Sequence, residues 1–217
     1  PWREYLMADY STNQEQFWAG EFGDAYAERN RGAAWIESNS ALFERILDCT
    51  EGVESILELG PSIGLNLRAI RGLRPEIELS GVEINESAVR ELNNWGCMKN
   101  VMHQSILEYQ PKEKFDFVFT KGVLIHLDPE LLPNVYRMLN QASRRYVCIA
   151  EYYNPTPVSI PYRGHEDKLF KRDFGGEIMD FCPSLELVDY GFCYHRDPRH
   201  PQDDITWFLL RKTGDNE

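Results

Sequence analysis

The sequence predicts an α/β protein with a mostly parallel, seven-stranded sheet and helices on both faces. Three observations support this prediction. A short apolar run at 56–59 passes through a turn of small residues directly into a helical pattern. A second apolar strand at 77–82 ends in the carboxylate Glu83. A third segment, 115–120, is almost wholly apolar, as expected of a central parallel strand that is covered on both faces.

The other predicted elements alternate between strands and helices, which is the order typical of a parallel sheet with crossover helices. In chain order we predict a helix at 39–49, a strand at 55–59, a helix at 63–73, a helix at 86–94 capped by Asn85, a short strand at 100–103, a helix through Met138 and Leu139, a strand at 146–150, a helical segment at 168–182, and strands at 185–192 and 205–211.

The glycine spacing of the turn after the first strand separates two classes of cofactor. A dinucleotide-binding turn has glycines at relative positions one, three and six, and only Gly60 matches, because Ser62 and Leu65 occupy the others. The pattern of an acidic residue followed by Gly-x-Gly-x-Gly is met by Glu58, Gly60 and Gly64, with Ser62 at the middle glycine. Glu83 then ends the next strand, where a carboxylate can accept hydrogen bonds from two ribose hydroxyls. This spacing favours S-adenosylmethionine over a nicotinamide dinucleotide.

With these motifs, the chain resembles class I S-adenosylmethionine-dependent methyltransferases, which have a Rossmann-like sheet. More narrowly, it is similar to the pseudaminic-acid-biosynthesis-associated methylases. The resemblance lies in the glycine turn and in residues 17–26, 28–30, 115–127 and 172–174. It implies transfer of a methyl group to an oxygen or nitrogen atom of a small metabolite, such as a sugar, a sugar acid or an amino-acid-like compound.

The resemblance also implies a set of cofactor-binding residues. Tyr26 and Arg29 are expected near the amino-acid end of the cofactor, since an arginine can hold a carboxylate through two hydrogen bonds. The superfamily often uses an aspartate to contact the adenine amino group, and Gln104 or Ser105 stands there in this chain. The full expected set is Tyr26, Arg29, Glu58, Gly60, Ser62, Gly64, Glu83, Ile84, Gln104, Ser105, Ile106, Thr120 and Lys121.

Ligands of an open parallel sheet bind beyond the carboxyl ends of its strands, so the methyl acceptor is expected there too. His126 could act as a general base or could only position the cofactor loop. Glu151, with Tyr152 and Tyr153, could bind a cationic acceptor, whereas basic residues after the fifth strand could bind a carboxylated sugar. The expected catalytic residues are His126, Glu151 and Tyr152, and the expected substrate-binding residues are Tyr152, Tyr153, Tyr162, Arg163 and His165.

Two segments are expected to flank the catalytic domain at residues 37–217. Residues 1–36 are helical and aromatic in character, so they could form a lid over the cofactor or simply pack on the sheet edge. A helix around residues 14–18 could be capped by Ser11 or Thr12. The proline-rich insertion at about 155–171 is expected to cover the substrate, because long insertions after strand ends are usually functional.

The composition of the chain indicates which binding partners and which cellular location are expected. With 23 basic and 35 acidic residues among 217, the net charge is −12, which argues against nucleic acid as a partner. The sequence contains no apolar run of about 20 residues, so no membrane association is expected. Five scattered cysteines without a CxxC pair indicate reduced thiols in the cytoplasm. The oligomeric state is left open.

A metal site is not expected. The segment 193–204 has two histidines and several carboxylates, but this composition is more typical of a substrate-pocket rim than of a metal site. Two alternatives to a small-molecule methyltransferase remain open. One is a methyltransferase for a peptide or protein side chain, and the other is a non-catalytic binding module that keeps the fold, which the departures at Ser62 and Gln104 would allow.

Overall fold

The computed structural model describes residues 10–162 and 165–214, with the side chains of Tyr162 and of residues 165–168 outside that description. In chain order, the helices and strands are α1 Asn13–Ala19, α2 Glu21–Arg29, α3 Ala33–Asp48, β1 Ser55–Leu59, α4 Leu65–Leu73, β2 Glu78–Glu83, α5 Glu86–Trp95, β3 Asn100–His103, β4 Phe115–Lys121, α6 Leu132–Ala142, β5 Ser143–Glu151, β6 Val158–Tyr162, β7 His165–Lys171, α7 Phe174–Phe181, β8 Leu185–Phe192 and β9 Thr206–Lys212. Two short 3₁₀ turns, Leu124–His126 and Pro129–Leu131, connect β4 to α6.

Seven strands form one sheet in the order β3-β2-β1-β4-β5-β9-β8. The first five strands of this order are parallel, and β9 is antiparallel to both of its neighbours. The chain order reverses between β1 and β4, which is the switch point where ligands bind in sheets of this type. The predicted sheet and its mixed character are therefore confirmed.

The sheet is covered on both faces because neighbouring residues of each strand point to opposite sides. On one face, Ile56 and Phe117 pack with residues of α3 and α4. On the other face, Leu57 and Val118 pack with residues of α6 and α7. The near-continuous apolar sequence of β1 and β4 follows from this double burial.

One predicted element was wrong. The segment 168–182 was expected to be helical, but its first residues belong to β7, which pairs antiparallel with β6 in a separate two-stranded sheet. Only Phe174–Phe181 is helical, and Asp173 caps it by accepting a hydrogen bond from the Gly176 N–H at 2.8 Å. Leu169 is buried in the core beside α7, so tertiary packing holds this segment in an extended form. The described part of the insertion at 155–171 thus contains two paired antiparallel strands.

Candidate active site

The turn after β1 has the backbone conformation that its small residues suggested. Gly60, Ser62 and Gly64 have φ values of 70°, 49° and 79°, all in the left-handed region. A Cβ atom on Gly60 would lie 2.7 Å from a methyl group of Val123, so this position has no room for a side chain. Ser62 adopts the same left-handed backbone conformation as the two glycines. For a residue with a side chain, this conformation costs about 1 kcal/mol or more.

Glu83 at the end of β2 joins this turn to the next one. Its carboxylate accepts hydrogen bonds from the backbone N–H groups of Ser62 at 2.7 Å and Asn85 at 2.8 Å. Burial raises the pKa of Glu83, and these backbone donors oppose the rise. Two N–H bonds leave further acceptor positions on the two oxygens, since a carboxylate has about four. Glu83 can therefore hold the turn and accept hydrogen bonds from a ligand.

Asn85 ties the N-terminal helices to the same place. Its side-chain oxygen caps α5 by accepting from the Ala88 N–H at 2.9 Å. Its amide nitrogen donates to Asp24 Oδ1 at 3.0 Å and lies 3.4 Å from the carbonyl oxygen of Trp18. Further along, Arg31 forms two hydrogen bonds to the carboxylate of Glu91 on α5, at 3.1 and 2.7 Å. The segment α1–α2 thus closes over the ends of β1 and β2.

Between the strand ends and this segment lies a cavity. Nine of the residues expected at the site line it: Tyr26, Gly60, Ser62, Glu83, Ile84, Ser105, Ile106, Lys121 and His126. Eight expected residues with described side chains lie outside the lining: Arg29, Glu58, Gly64, Gln104, Thr120, Glu151, Tyr152 and Tyr153. The cavity is also lined by residues that the sequence did not single out for the site, namely Glu15, Trp18, Trp35, Asn39, Asn66 and Asn85. Asp203, from the segment 193–204 that was expected to form a pocket rim, lines it as well.

Aromatic residues of α1 and α2 form one wall of the cavity. The ring of Trp18 packs edge-on against Tyr26, with centroids 5.3 Å apart. The same ring lies 4.6 Å from that of His126, centroid to centroid. His126 sits in the 3₁₀ turn after β4 and is buried. Helix α1 therefore contacts the candidate general base His126 through Trp18.

Behind the glycine turn, Glu58 connects to the cavity through Asn66. The amide nitrogen of Asn66 donates to Glu58 Oε1 at 2.6 Å, while Glu58 Oε2 is buried without a hydrogen-bond partner among the described residues. Burial raises the pKa of Glu58 to about 8, against the hydrogen bond from Asn66 and the positive charge of Lys121. Burial in turn lowers the pKa of Lys121, and the charges of Glu58 and Asp203 oppose that change. Glu58 is thus a buried residue that holds Asn66, which lines the cavity, in position.

Glu151 at the end of β5 organises the loop after β4. Its Oε1 accepts hydrogen bonds from the N–H groups of Val123 at 3.0 Å and Leu124 at 3.1 Å, and its Oε2 lies 3.4 Å from the Ile125 nitrogen. The hydroxyl of Thr120 lies 3.4 Å from Oε1. Burial raises the pKa of Glu151 to about 7, although the three backbone donors oppose the rise. The carboxylate of Glu151 is directed into the loop and away from the cavity.

The insertion after β5 does not reach the cavity through its described residues. Tyr152 packs against both core clusters, and the ammonium of Lys171 lies 5.1 Å from the centre of its ring. Tyr153 is exposed, with its ring 6.2 Å from that of Phe208. The other expected substrate-binding side chains, Tyr162, Arg163 and His165, lie outside the described residues.

The loop between β8 and β9 supplies a rim residue instead. Asp203 lines the cavity, and its neighbour Gln202 is buried, donating from its amide to the Ser38 carbonyl oxygen at 2.8 Å. His195 pairs with Asp204, with its Nδ1 2.8 Å from Oδ1 of that carboxylate. Within the described ranges, no cluster of three or more histidine, cysteine, aspartate or glutamate side chains could hold a metal ion.

Comparison with known proteins finds likeness in structure only. No family model matches the chain, and no curated protein matches its sequence. A methyltransferase from Clostridium acetobutylicum has a TM-score of 0.63 and 12% identity over 89% of this chain and 98% of its own. A plantazolicin methyltransferase in complex with SAH reaches 0.65, with 12% identity over 93% and 94% of the two chains. Magnesium protoporphyrin IX methyltransferase from Synechocystis, with bound SAM, reaches 0.63, with 13% identity over 94% and 100%.

The strand order, the switch-point cavity and these neighbours define the class of structure. The chain has the fold of class I S-adenosylmethionine-dependent methyltransferases. At identities of 12–13% the likeness establishes the fold.

Proposed function

We propose that this protein is an S-adenosylmethionine-dependent methyltransferase that acts on an oxygen or nitrogen atom of a small metabolite. The observation that carries the proposal is the chemistry of the unsatisfied polar atoms at the cavity. Three side chains that line it have a buried oxygen without a hydrogen-bond partner among the described residues, namely Glu15, Asn39 and Asn66. All three atoms are acceptors. A buried acceptor without a donor costs about 1–3 kcal/mol, so the cavity favours a ligand rich in donors.

S-adenosylmethionine fits this requirement. It presents an ammonium group, two ribose hydroxyls and an adenine amino group, all of which donate, and it carries a positive sulfonium. Glu83 ends β2 beside the turn, and in this proposal its carboxylate accepts from the ribose hydroxyls, while the turn at Gly60–Gly64 lets backbone approach the ligand closely. When bound, the cofactor supplies an electrophilic methyl group that an acceptor atom can displace in line.

The residues of this chain then have separate tasks. The lid residues Trp18 and Tyr26 exclude water from the cavity, which strengthens electrostatic interactions inside it. His126, at the cavity wall, is our candidate for receiving the proton of a hydroxyl or ammonium acceptor at its imidazole. Glu151 is a positioning residue that fixes the loop on which His126 stands.

Lys121 supports an acceptor that carries an anionic group. It lines the cavity at the end of β4, and the described residues place no carboxylate within ion-pair distance of its ammonium. A sugar acid or an amino-acid-like metabolite would provide such a group, in agreement with the resemblance to pseudaminic-acid-associated methylases. The structural neighbours include enzymes named for porphyrin and glycopeptide substrates, so peptide acceptors belong in the same assay.

Location and partners are part of the same proposal. All five cysteines are free thiols, which supports a cytoplasmic location. No helix in the described ranges is long and apolar enough to cross a bilayer. The acidic net charge of −12 supports a small-molecule acceptor over nucleic acid. Residues 1–36 would act as the lid and residues 37–217 as the catalytic domain.

Calorimetry with S-adenosylhomocysteine tests the proposal. The wild-type protein should bind this ligand and should not bind NAD. Glu83→Gln should weaken binding roughly tenfold or more, because a charged acceptor for the ribose is lost. Glu86→Gln is the matched control, since Glu86 lies three residues away, is exposed and pairs with Arg90 on the surface. Absence of binding by the wild-type protein would refute the proposed cofactor.

Turnover is tested by mass spectrometry. The protein is incubated with S-adenosylmethionine and with separate pools of nucleotide sugars, amino acids and peptides. A gain of one methylene in a compound of the first two pools supports the small-metabolite proposal. A gain confined to the peptides would replace it with the peptide-modifying alternative, and cofactor binding without any gain would favour a non-catalytic module.

A further inference from the structure

The lid helix α1 contributes a carboxylate to the cavity in a fixed orientation. Thr12 caps this helix, and Glu15 completes a reciprocal capping box. Glu15 Oε2 accepts hydrogen bonds from the Ser11 hydroxyl at 2.7 Å, the Thr12 N–H at 2.8 Å and the Thr12 hydroxyl at 3.1 Å. Three donors on one oxygen prevent the carboxylate from turning, so the direction of the other oxygen is set by the helix terminus.

That other oxygen, Glu15 Oε1, has no comparable partner. Glu15 is only 5% exposed and lines the cavity, and Oε1 makes no hydrogen bond to any described residue. Burial alone would raise the pKa of Glu15, but the hydroxyls of Ser105 and Ser11 and the backbone of Thr12 outweigh it and lower the pKa. The Ser105 hydroxyl makes the largest of these contributions, so it lies close to the Glu15 carboxylate. Glu15 is therefore an ionised, buried carboxylate with one oxygen left for a ligand.

The sheet determines which part of a ligand meets this oxygen. Glu83 is the last residue of β2, and it pairs in register with His103, the last residue of β3. Ser105 and Ile106 follow immediately after β3 and line the cavity beside Glu15. Neighbouring strands are about 4.8 Å apart, so a ribose held at Glu83 places its base one strand further, toward Ser105. The opposite direction leads to Gly60 and Lys121, where the methionine part would lie.

The residues around this position are suited to a flat aromatic base. Ile84 and Ile106 provide apolar surfaces on which a flat ring can lie. The backbone N–H of Leu107 donates to the Ser105 hydroxyl oxygen at 3.1 Å, which holds Ser105 in place. Two polar groups are therefore near the edge of the ring, the Ser105 hydroxyl and Glu15 Oε1, and the ionised carboxylate can only accept. The adenine of the cofactor presents an exocyclic amino group that donates to such an acceptor.

We propose that Glu15 Oε1 accepts a hydrogen bond from the adenine 6-amino group of the cofactor, so that the lid itself recognises the base. This inference rests on the proposed function, because it concerns the same cavity and cofactor. It makes closure of α1 depend on the identity of the base. Gln104, which was considered for this contact, lies outside the cavity lining.

The test compares two ligands on each of three proteins. The ligands are S-adenosylhomocysteine and its purine analogue, in which hydrogen replaces the 6-amino group. The proteins are wild type, Glu15→Gln and the control Glu21→Gln, whose residue is exposed in the first turn of α2. Glutamine keeps an oxygen for the donors of Ser11 and Thr12, so the helix cap is retained while the acceptor facing the cavity becomes a donor.

Wild type and Glu21→Gln should bind S-adenosylhomocysteine roughly tenfold or more tightly than the analogue. Glu15→Gln should bind both ligands about equally, because its amide cannot accept from the amino group. A wild-type preference retained in Glu15→Gln would overturn the inference, and so would equal binding of both ligands by the wild-type protein. Binding of neither ligand by the wild-type protein would instead refute the proposed function. Each ratio is measured within one protein, so a change in overall stability does not imitate the result.

Discussion

Removing the carboxylate of Glu151 should destabilise the fold by several kcal/mol. The side chain accepts from Val123 and Leu124 at 3.0 and 3.1 Å and lies 3.4 Å from the Ile125 nitrogen. In Glu151→Ala these N–H groups lose their acceptor, and each buried donor left unsatisfied costs about 1–3 kcal/mol. Counting the two short bonds in full and the long one weakly, we expect a loss of about 3–5 kcal/mol. For a chain of 217 residues this is a fall in melting temperature of roughly 10 °C.

Glu151→Gln separates the hydrogen bonds from the charge. Its amide oxygen can still accept from Val123 and Leu124, so we expect a loss of only about 1–2 kcal/mol. Urea denaturation followed by circular dichroism measures both variants, with Glu130→Ala as the control, because Glu130 lies exposed on the same connection. Glu151→Ala with wild-type stability would refute the reasoning. If that variant also lost turnover while remaining stable, Glu151 would have to contact the acceptor.

Two further outcomes follow from the buried groups. Glu58 has a pKa of about 8 in the folded protein, against an ordinary value of 4.5. Between these two pH values the folded protein therefore binds a proton that the unfolded chain does not. The free energy of unfolding should consequently fall as pH rises from about 4.5 through 8. Glu58→Gln should remove the part of the fall that Glu58 contributes, up to about 5 kcal/mol, and leave the part due to Glu83 and Glu151, whose pKa values burial also raises. Glu54→Gln on the surface should leave the profile unchanged, and parallel pH profiles of wild type and Glu58→Gln would contradict the reasoning. In hydrogen exchange, amides of residues 13–29 should be protected when S-adenosylhomocysteine binds, and Arg31→Ala should weaken the protection by releasing the bond to Glu91. Unchanged exchange in this segment would leave α1 and α2 as sheet-edge packing only.

Local sequence patterns were sufficient to predict the sheet and the conformation of the turn after β1. The glycine turn and Glu83 belong to short strand–turn–helix segments, and the strands that present them are buried on both faces. Asn85 was predicted as a helix cap from its position alone, and its cap to Ala88 is confirmed. These features depend on residues that are close together in sequence, so local patterns are sufficient to predict them.

The features that sequence reasoning missed depend on residues distant in the chain. Asn66 had no signal beyond its helix, and its importance arises from the buried bond to Glu58. Asp203 lies in the segment 193–204, whose composition indicated a pocket rim without showing which of its residues would line the cavity. The segment that contains β7 was predicted as part of a helix. Its pairing with β6 and the burial of Leu169 depend on tertiary contacts, which the local pattern does not show. Glu15 had a local signal, the Thr12-x-x-Glu15 capping box, but that pattern predicts a helix start and no ligand contact.

The two departures from the family pattern that favoured a non-catalytic module both have a structural counterpart. Ser62 replaces a glycine, yet it adopts a left-handed φ of 49° and donates its N–H to Glu83, which is what the turn requires of that position. Gln104 and Ser105 stand where an aspartate was expected, and the structure brings the ionised Glu15 next to Ser105 from another part of the chain. A module that had lost its ligand would gain nothing from keeping a buried carboxylate oxygen unpaired, because that costs stability. The departures therefore do not weigh against cofactor binding, and the unpaired oxygen weighs in its favour.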